Sequence, residues 1–350
     1  MKNIKLGDKL VGHDEPCFII AEAGVNHNGE LEKALQLIDI AADAKADSVK
    51  FQTFRAEQVV TESGEMAEYQ KTNLGKVESQ RDMLRKLELP EEWYPQLITR
   101  AKEKNIIFFS TPHGGKASVD FLESVGVPFY KVGSGDLTNY ILLERIAKTG
   151  KPVIMSSGMA TLDEVKDAIK FIRSKGQKDI VMLHCTTNYP CPPNEVNLKA
   201  LSLYMEELDV LAGYSDHTEH VETAIAARAL GMVVYERHYT IDKNLTGPDH
   251  VASDSPEEFK SKVASIRLTE TLLGKKEKNP TASEIRIAPV ARRSIVLARD
   301  QEAGHVLTAD DLEAKRPGDG KSPKDFEKLI GKILKTDLKA DQQIKIEDVE

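Results

Sequence analysis

The sequence has few cysteines and no long apolar run, and both absences restrict its class. Its three cysteines, Cys17, Cys185 and Cys191, match neither a zinc-ligand nor a C-x-x-C spacing, so they are interpreted as reduced thiols. Cys17 and Cys185 lie in apolar runs and are expected in the core. No stretch reaches the ~18–20 apolar residues of a membrane span, and the N-terminal residues lack a signal-peptide core. We therefore expect a cytoplasmic protein with no membrane partner.

Positive charge is also scarce. The 48 Lys and Arg residues are outnumbered by 56 Asp and Glu residues, which gives a formal net charge of −8. Proteins that bind nucleic acid usually carry a dense basic patch, and none is present, so nucleic acid is not an expected partner. A small anionic ligand remains compatible with this charge, because it needs only a few local cations.

Short apolar segments alternate with amphipathic ones through most of the chain. The predicted strands are Cys17–Ala21, Ser48–Phe51, Ile106–Phe109, Phe129–Val132, Val153–Met155, Ile180–Leu183, Val210–Ala212 and Met232–Tyr235. The predicted helices include Leu31–Ala44, Glu91–Lys104, Leu162–Ser174, Val221–Leu230 and Pro256–Leu273. Eight strands that are each followed by a helix predict a (β/α)8 (TIM) barrel. A doubly wound sheet is the main alternative, but no G-x-G-x-x-G follows the first strand.

The character of the sequence changes at Gly274. We predict a barrel domain over residues 1–275, a charged, turn-rich linker over 276–290, and a small domain of mostly β structure over 291–350. The last domain is too small to hold an active site alone. Arg316 stands on a constrained turn before Pro317 and Gly318, a place from which a guanidinium can reach another surface.

Two histidines follow consecutive predicted strands, His217 after Val210–Ala212 and His238 after Met232–Tyr235. Each stands near a carboxylate that can fix its tautomer. Strand ends of one βαβ unit open into the same space, so these imidazoles are predicted to share a metal ion. A role as ordinary hydrogen-bonding loop residues is the alternative.

Lysines occupy two further strand ends of the predicted barrel, at Lys50 and Lys131. Charges inside a barrel mouth are costly to desolvate unless a ligand or partner compensates them. The pair therefore indicates an anionic ligand such as phosphate or carboxylate. The alternative is a structural network in which the lysines pair with Glu22, Asp136 or Glu236. The long polar stretch 55–89 between the second strand and the next helix is predicted to be functional, for example as a lid.

Ordered motifs along nearly the whole chain resemble those of the sialic acid synthase (NeuB) family. They include IAEAGVNHNG, ADSVKFQTF, FYKVGSGDLTNYILL, KPVIMSSGMATLDEV, LHCTTNYPCPPNEVNL, GYSDHT, ERHYTIDKN and KRPGDG. Members of this family condense phosphoenolpyruvate with N-acetylated hexosamines, in a TIM barrel that is followed by an antifreeze-like (SAF) domain. The resemblance implies a transferase that uses phosphoenolpyruvate and an N-acetylated amino sugar, with Mn²⁺ or Mg²⁺ as cofactor.

The resemblance also implies roles for single residues. His217 and His238 match the family's metal ligands, and the implied catalytic residues are Glu22, Lys50, Lys131, His217 and His238. The implied substrate-binding residues are Thr111, Ser134, Asp136, Thr187, Tyr189, Ser215, Asp249 and Arg316. Among these, Arg316 matches an arginine that the SAF domain of one subunit inserts into the barrel of its partner, which implies a domain-swapped homodimer.

Two positions bear on which amino sugar is the substrate. Thr187 stands where N-acetylneuraminate-forming members have a sugar-contacting asparagine, and Arg292 stands where their SAF domain has a phenylalanine. The segment EMAEYQKTNLGKVESQRDMLRKLEL is more similar to that of legionaminic acid synthases, which use 2,4-diacetamido-2,4,6-trideoxymannose. We therefore expect N,N'-diacetyllegionaminate as product, and N-acetylneuraminate, pseudaminate and spore-coat-type sugars stay open. His113-Gly114 replaces the family's usual Phe-Asp, so the role of that loop is also open.

Three other functional classes are alternatives for this set of residues. A barrel metallohydrolase normally needs an H-x-H pair after the first strand, where this chain has Val25-Asn26-His27-Asn28. A Schiff-base aldolase could use Lys50 or Lys131 as its nucleophile. A non-catalytic binding protein is disfavoured because the histidine and lysine set is intact.

Overall fold

The computed structural model describes residues 2–66, 71 and 79–350. The chain forms two compact units, the first ending at Gly274 and the second beginning at Lys275. None of the described helices is long and apolar enough to cross a membrane.

The first unit contains an eight-stranded parallel sheet. Its strands are β3 (Phe18–Gly24), β4 (Ser48–Thr53), β5 (Ile107–Pro112), β6 (Tyr130–Val132), β7 (Val153–Ser156), β8 (Ile180–Cys185), β9 (Leu211–Asp216) and β10 (Val234–His238). They follow the order β5-β4-β3-β10-β9-β8-β7-β6, so the first of them lies beside the last. The predicted (β/α)8 barrel is confirmed. A short antiparallel hairpin, β1 (Ile4–Leu6) and β2 (Lys9–Val11), precedes it and was not predicted.

The barrel has one seam. No backbone ladder joins β5 to β6 within the described residues. Phe109 of β5 instead packs against Phe129, which precedes β6, with ring centroids 4.4 Å apart, and Phe129 also contacts Phe18 at 5.9 Å. Side-chain packing therefore replaces hydrogen bonding at this place.

Helices surround the sheet and continue into the second unit. Those of the first unit are α1 (Leu31–Asp43), α2 (Ala56–Val59), α3 (Gln80–Arg85), α4 (Tyr94–Glu103), α5 (Gly115–Ser124), α6 (Tyr140–Ala147), α7 (Leu162–Ser174), α8 (Ala200–Glu207), α9 (Val221–Ala229) and α10 (Pro256–Leu273). The second unit begins with α11 (Ala282–Ala291). Helix α7 starts with a capping box of Thr161 and Glu164, which satisfies backbone N–H groups of its first turn.

The second unit is built on a small apolar core. Strands β11 (Ser294–Leu297) and β12 (Leu312–Lys315) pair antiparallel. The core residues are Ile295, Leu297, Leu307, Leu329, Leu334, Leu338, Ile344 and Val349. Helix α11 lies within the stretch that sequence analysis treated as a linker. None of its residues is buried, which explains why the sequence there lacks an apolar stripe.

Candidate active site

Strand register brings the polar strand ends of the barrel together. Glu22 of β3 stands opposite Lys50 of β4 and opposite His238 of β10. Glu236 of β10 is in register with Ser215 of β9. Because the strands are parallel, all these groups lie at the same end of the barrel, where barrel enzymes carry their chemistry.

A buried cluster of charges forms the floor of this end. Lys50 Nζ lies 2.8 Å from Glu22 Oε2 and 3.5 Å from Glu236 Oε2. Lys131 Nζ lies 3.1 Å from Glu236 Oε1. All four side chains are at most 5% exposed. The two lysines therefore pair with the two carboxylates. These are the pairs with Glu22 and Glu236 that the alternative of a structural ion-pair network predicts.

Asp136 does not belong to that cluster. Its carboxylate lies 3.2 Å from His113 Nδ1 and accepts a hydrogen bond of 2.9 Å from Asn139. The His113-Gly114 substitution that sequence analysis noted thus supplies a partner for Asp136. Its predicted contact with substrate stays a prediction.

The pKa values follow from burial and pairing. Burial alone would raise the pKa of Glu236, but Lys131 and Lys50 outweigh it and lower that pKa to about 2. Burial lowers the pKa of Lys131, whereas Glu22 and Glu236 overcome burial and raise the pKa of Lys50. Burial raises the pKa of Glu22, which Lys50 offsets only in part. Glu22 is therefore the carboxyl in this cluster best suited to accept and return a proton.

Hydroxyl groups line the same floor. Lys50 Nζ donates to Thr111 Oγ1 over 3.0 Å, and Ser215 Oγ donates to Glu236 over 2.9 Å. Ser134 Oγ accepts from the backbone N–H of Gly158 over 3.0 Å. Ser156 Oγ is buried and has no partner among the described residues. Ser156 has no role among the predictions made from the sequence.

His217 and His238 face each other beside the charged cluster, with ring centroids 5.7 Å apart. His217 Nδ1 lies 2.7 Å from the carbonyl oxygen of Thr186. A carbonyl only accepts, so Nδ1 carries a proton, and in the neutral form of the ring Nε2 is left with its lone pair. His238 Nδ1 is buried without a partner in the described residues. Burial, followed by His217 and Lys50, lowers the pKa of His238 well below its usual value, so this imidazole is neutral.

These two imidazoles fit a divalent metal ion. The described residues contain no group of three or more His, Cys, Asp or Glu side chains that could hold one. Two nitrogen ligands would leave the remaining coordination positions to substrate and water, with one protein ligand fewer than a catalytic zinc site has. The contact of His217 Nδ1 with Thr186, which leaves Nε2 as the nitrogen available to a metal, and the unpartnered Nδ1 of His238 are the observations that support this fit.

The predicted sugar-contacting residues lie around the histidines. The ring of Tyr189 is 4.1 Å from that of His217 and 5.8 Å from that of His238. Thr187 Oγ1 is buried without a partner in the described residues, beside Gly158. Burial raises the pKa of Asp249 to about 6, and the charge of His217 opposes this rise.

Two further predictions concern other parts of the chain. Arg316 belongs to the second unit, where its side chain is exposed on the turn before Pro317. Of the predicted lid, residues 67–70 and 72–78 lie outside the described part of the chain.

Cys185 is a site residue that sequence analysis placed only in the core. It is buried, and its Sγ lies 3.8 Å from His217 Nδ1 and 3.6 Å from Ser134 Oγ. Burial would raise the pKa of this thiol, but His217 outweighs burial and lowers it to about 7. The neighbouring His184 points the other way and contacts the carbonyl oxygen of Val196 at 2.6 Å. Strand alternation was the signal that could have separated the two.

Comparisons with known proteins agree with this geometry. The model of the NeuB family matches residues 37–278, and that of the SAF domain matches residues 292–350. The chain is 43% identical to an N,N'-diacetyllegionaminic acid synthase of Campylobacter jejuni, over 94% of this chain and 98% of that protein. The chain belongs to the NeuB family. This NeuB-family chain is also 43% identical to an N,N'-diacetyllegionaminic acid synthase of Legionella pneumophila, over 98% of both.

A solved structure supports the same assignment. N-acetylneuraminic acid synthetase from Leptospira borgpetersenii superposes with a TM-score of 0.73 at 34% identity, covering 81% of this chain and 94% of that chain. The present NeuB-family chain is therefore an enzyme, a synthase of the sialic-acid type, with a TIM barrel and a C-terminal SAF domain.

Proposed function

We propose that this enzyme condenses phosphoenolpyruvate with an N-acetylated mannosamine-type aldose. Water is consumed, and the products are a nine-carbon 2-keto sugar acid and phosphate. N,N'-diacetyllegionaminate is the favoured product. The observation that carries the proposal is the buried cluster of Lys50 and Lys131 beside the facing rings of His217 and His238. It combines sites for an anion and for a metal at one end of the barrel.

The lysines and hydroxyls bind phosphoenolpyruvate in this proposal. Lys50 and Lys131 hold the phosphate and carboxylate, and they exchange part of their pairing with Glu22 and Glu236 for the substrate's charges. The hydroxyls of Thr111, Ser134, Ser156 and Ser215 supply uncharged contacts around the same anion. Preorganised cations in a buried site stabilise developing negative charge more strongly than they would in water.

The bond changes are those of an enol phosphate that attacks an aldehyde. C3 of phosphoenolpyruvate forms a bond to the aldehyde carbon of the open-chain sugar, and the aldehyde oxygen takes up a proton to become a hydroxyl. Water adds at C2 and loses a proton, for which Glu22 with its raised pKa is the acceptor. The resulting tetrahedral carbon expels phosphate by C–O cleavage and becomes the ketone.

His217 and His238 would hold the divalent ion. When bound there, such an ion would supply Lewis-acid polarisation of the aldehyde oxygen. The proposed ion is Mn²⁺ or Mg²⁺, and since both prefer oxygen ligands, substrate and water would complete its coordination beside the two imidazoles. Tyr189, positioned against His217, orients the sugar beside this pair.

The sugar is the least constrained part of the proposal. Thr187 and Asp249 are the side chains assigned to its recognition, and the loss of an amide at position 187 favours the 2,4-diacetamido-2,4,6-trideoxy sugar. The two relatives named as legionaminic acid synthases support the same choice. N-acetylneuraminate or pseudaminate is the alternative product, since the similar Leptospira structure is named for N-acetylneuraminic acid.

Arg316 completes the proposed active unit, a domain-swapped homodimer in the cytoplasm. Its exposed guanidinium would reach the barrel of the partner subunit. Arg316→Ala should impair turnover without unfolding the barrel, whereas Arg293→Ala, which changes another exposed arginine of the second unit, should not. Unchanged turnover in Arg316→Ala would remove the case for the swapped domain.

Phosphate release from phosphoenolpyruvate tests the function directly. N-acetylmannosamine and the 2,4-diacetamido sugar are supplied in parallel, each with and without EDTA. We expect EDTA-sensitive release that is fastest with the diacetamido sugar. Faster release with N-acetylmannosamine would reassign the product to N-acetylneuraminate. Release that persists in EDTA, together with trapping of a lysine adduct by borohydride, would indicate the Schiff-base aldolase instead.

A further inference from the structure

Two buried cations hold the peptide groups on either side of His217. Arg237 Nη1 donates to the carbonyl oxygen of Asp216 over 3.0 Å. Lys262 Nζ, from helix α10, donates to the carbonyl oxygen of Thr218 over 3.1 Å. His217 is therefore fixed at both of its chain neighbours by side chains that lie outside the barrel interior.

Both cations meet at the carboxylate of Asp254, and the backbone of the same residue contacts the second histidine. Asp254 Oδ1 lies 2.6 Å from Arg237 Nη2 and 3.1 Å from Lys262 Nζ. The backbone N–H of Asp254 donates to the carbonyl oxygen of His238 over 3.0 Å. Arg237 itself immediately precedes His238 in β10. One connected set of three side chains thus ties the backbone at His217 to the backbone at His238.

The set is buried to a degree that stability alone does not explain. Arg237, Lys262 and Asp254 are 1%, 3% and 2% exposed. The fully buried Asp216 adds a second carboxylate, which accepts hydrogen bonds from Tyr235 and Thr218. Burying two cations and two carboxylates costs desolvation that apolar residues of similar volume would avoid. Such groups are best attested where they specify one geometry, and here that geometry is the placement of two histidines.

We propose that Arg237, Asp254 and Lys262 form a positioning clamp that sets the spacing and orientation of the His217 and His238 rings. The affinity of the site for a divalent cation depends on this clamp. The inference rests on the proposed role of the two histidines as metal ligands. The clamp residues touch neither substrate nor metal and act only through the backbone. Partners that hydrogen-bond a metal-ligating side chain directly typically change metal affinity 10–100-fold when they are removed, and the clamp, which acts through the backbone, is expected at the low end of this range.

Lys262→Met tests the clamp because methionine keeps most of the length of the side chain and removes its donor. Lys260→Met is the matched control, since Lys260 lies on the same helix and is exposed. Lys262→Arg is the rescue variant, because a guanidinium can still donate to Thr218 and Asp254. Mn²⁺ affinity is measured from the electron paramagnetic resonance of free Mn²⁺. Metal-free protein labelled with ¹⁵N-histidine gives the ring resonances of His217 and His238, assigned with His217→Gln and His238→Gln.

We expect Lys262→Met to raise the Kd for Mn²⁺ about tenfold or more and to shift the His217 ring resonances. Lys260→Met should change neither, and Lys262→Arg should recover most of the affinity. If Lys262→Met does not fold, Arg237→Lys and Asp254→Asn are measured in the same way. Unchanged Kd and unchanged ring resonances in a folded variant would overturn the clamp. Absence of Mn²⁺ binding by the unsubstituted protein would refute the proposed metal role, and the ring resonances would still decide whether the clamp exists.

Discussion

Lys131 and Glu236 form an ion pair of 3.1 Å across the interior of the barrel. Glu236 also serves Lys50, so one carboxylate compensates two buried ammonium groups. Any negatively charged ligand that enters the barrel mouth competes for these lysines. The ion pairs therefore compensate the buried charges of the fold. They also set the interaction that an anion must replace when it binds to the lysines.

Glu236→Gln should destabilise the barrel and make it depend on an anion. Removing one partner of a buried ion pair costs about 3–5 kcal/mol, and we expect a loss of unfolding free energy of about 3 kcal/mol in urea. Inorganic phosphate should recover part of this loss, because its charge replaces the carboxylate. Glu222→Gln, at an exposed position, is the control. A variant as stable as the control would show that the pair contributes little.

His217→Ala and His238→Ala should each lower the rate of metal-dependent phosphate release about 100-fold or more. Both variants should remain folded. Each removes one of two nitrogen ligands, and a single imidazole holds the ion weakly. His220→Ala is the control, since His220 is exposed just before α9. Substantial EDTA-sensitive turnover in either variant would contradict the metal assignment.

Asp249→Asn should remove a pH dependence of stability. Burial raises the pKa of Asp249 to about 6, whereas an aspartate in an unfolded chain titrates near about 3.9. The folded state binds this proton more tightly, so Asp249 makes the protein less stable as the pH rises from about 4 through about 6. In urea unfolding across this range, the free energy of unfolding should fall less, or rise more, with increasing pH for Asp249→Asn than for the exposed control Asp163→Asn. Equal slopes would mean that Asp249 titrates normally.

Gly158→Ala should disturb substrate binding without unfolding the protein. A methyl group at this position would overlap the hydroxyl of Thr187 and come within 2.7 Å of Ser134 Oγ. Both side chains must move, so we expect kcat/KM for phosphate release to fall about tenfold or more, which corresponds to ~1.4 kcal/mol of transition-state stabilisation. Gly135→Ala is the control, because its methyl group would meet nothing within 4 Å. Normal kinetics in Gly158→Ala would exclude Thr187 and Ser134 from substrate contact.

Much of the barrel was predictable because local and long-range signals agree in it. Helices α7 and α10 begin and end at the predicted residues, since capping boxes at Thr161 and Ser255 mark their starts and apolar stripes face the sheet. Helix α11 has a capping box at Thr281 as well. It exposes its apolar residues, however, and periodicity could not reveal it.

The sequence allowed the location of the site residues at the strand ends to be predicted. It did not allow the contacts among them to be predicted. Their positions at strand ends predicted Glu22, Lys50 and His238 at one mouth of the barrel, and the structure brings them together there. The clamp was missed because Arg237 and Lys262 lie far apart in sequence and meet only through Asp254. These contacts depend on how helix α10 packs against the barrel. No local sequence pattern predicts that packing.

Lys131 lies on β6, the strand beside the seam between β5 and β6. A ladder with β7 holds this three-residue strand on one side only. The ion pair of Lys131 with Glu236 therefore joins the strand at the seam to the opposite side of the barrel. An anion that paired with Lys131 would replace a contact that crosses the whole barrel interior.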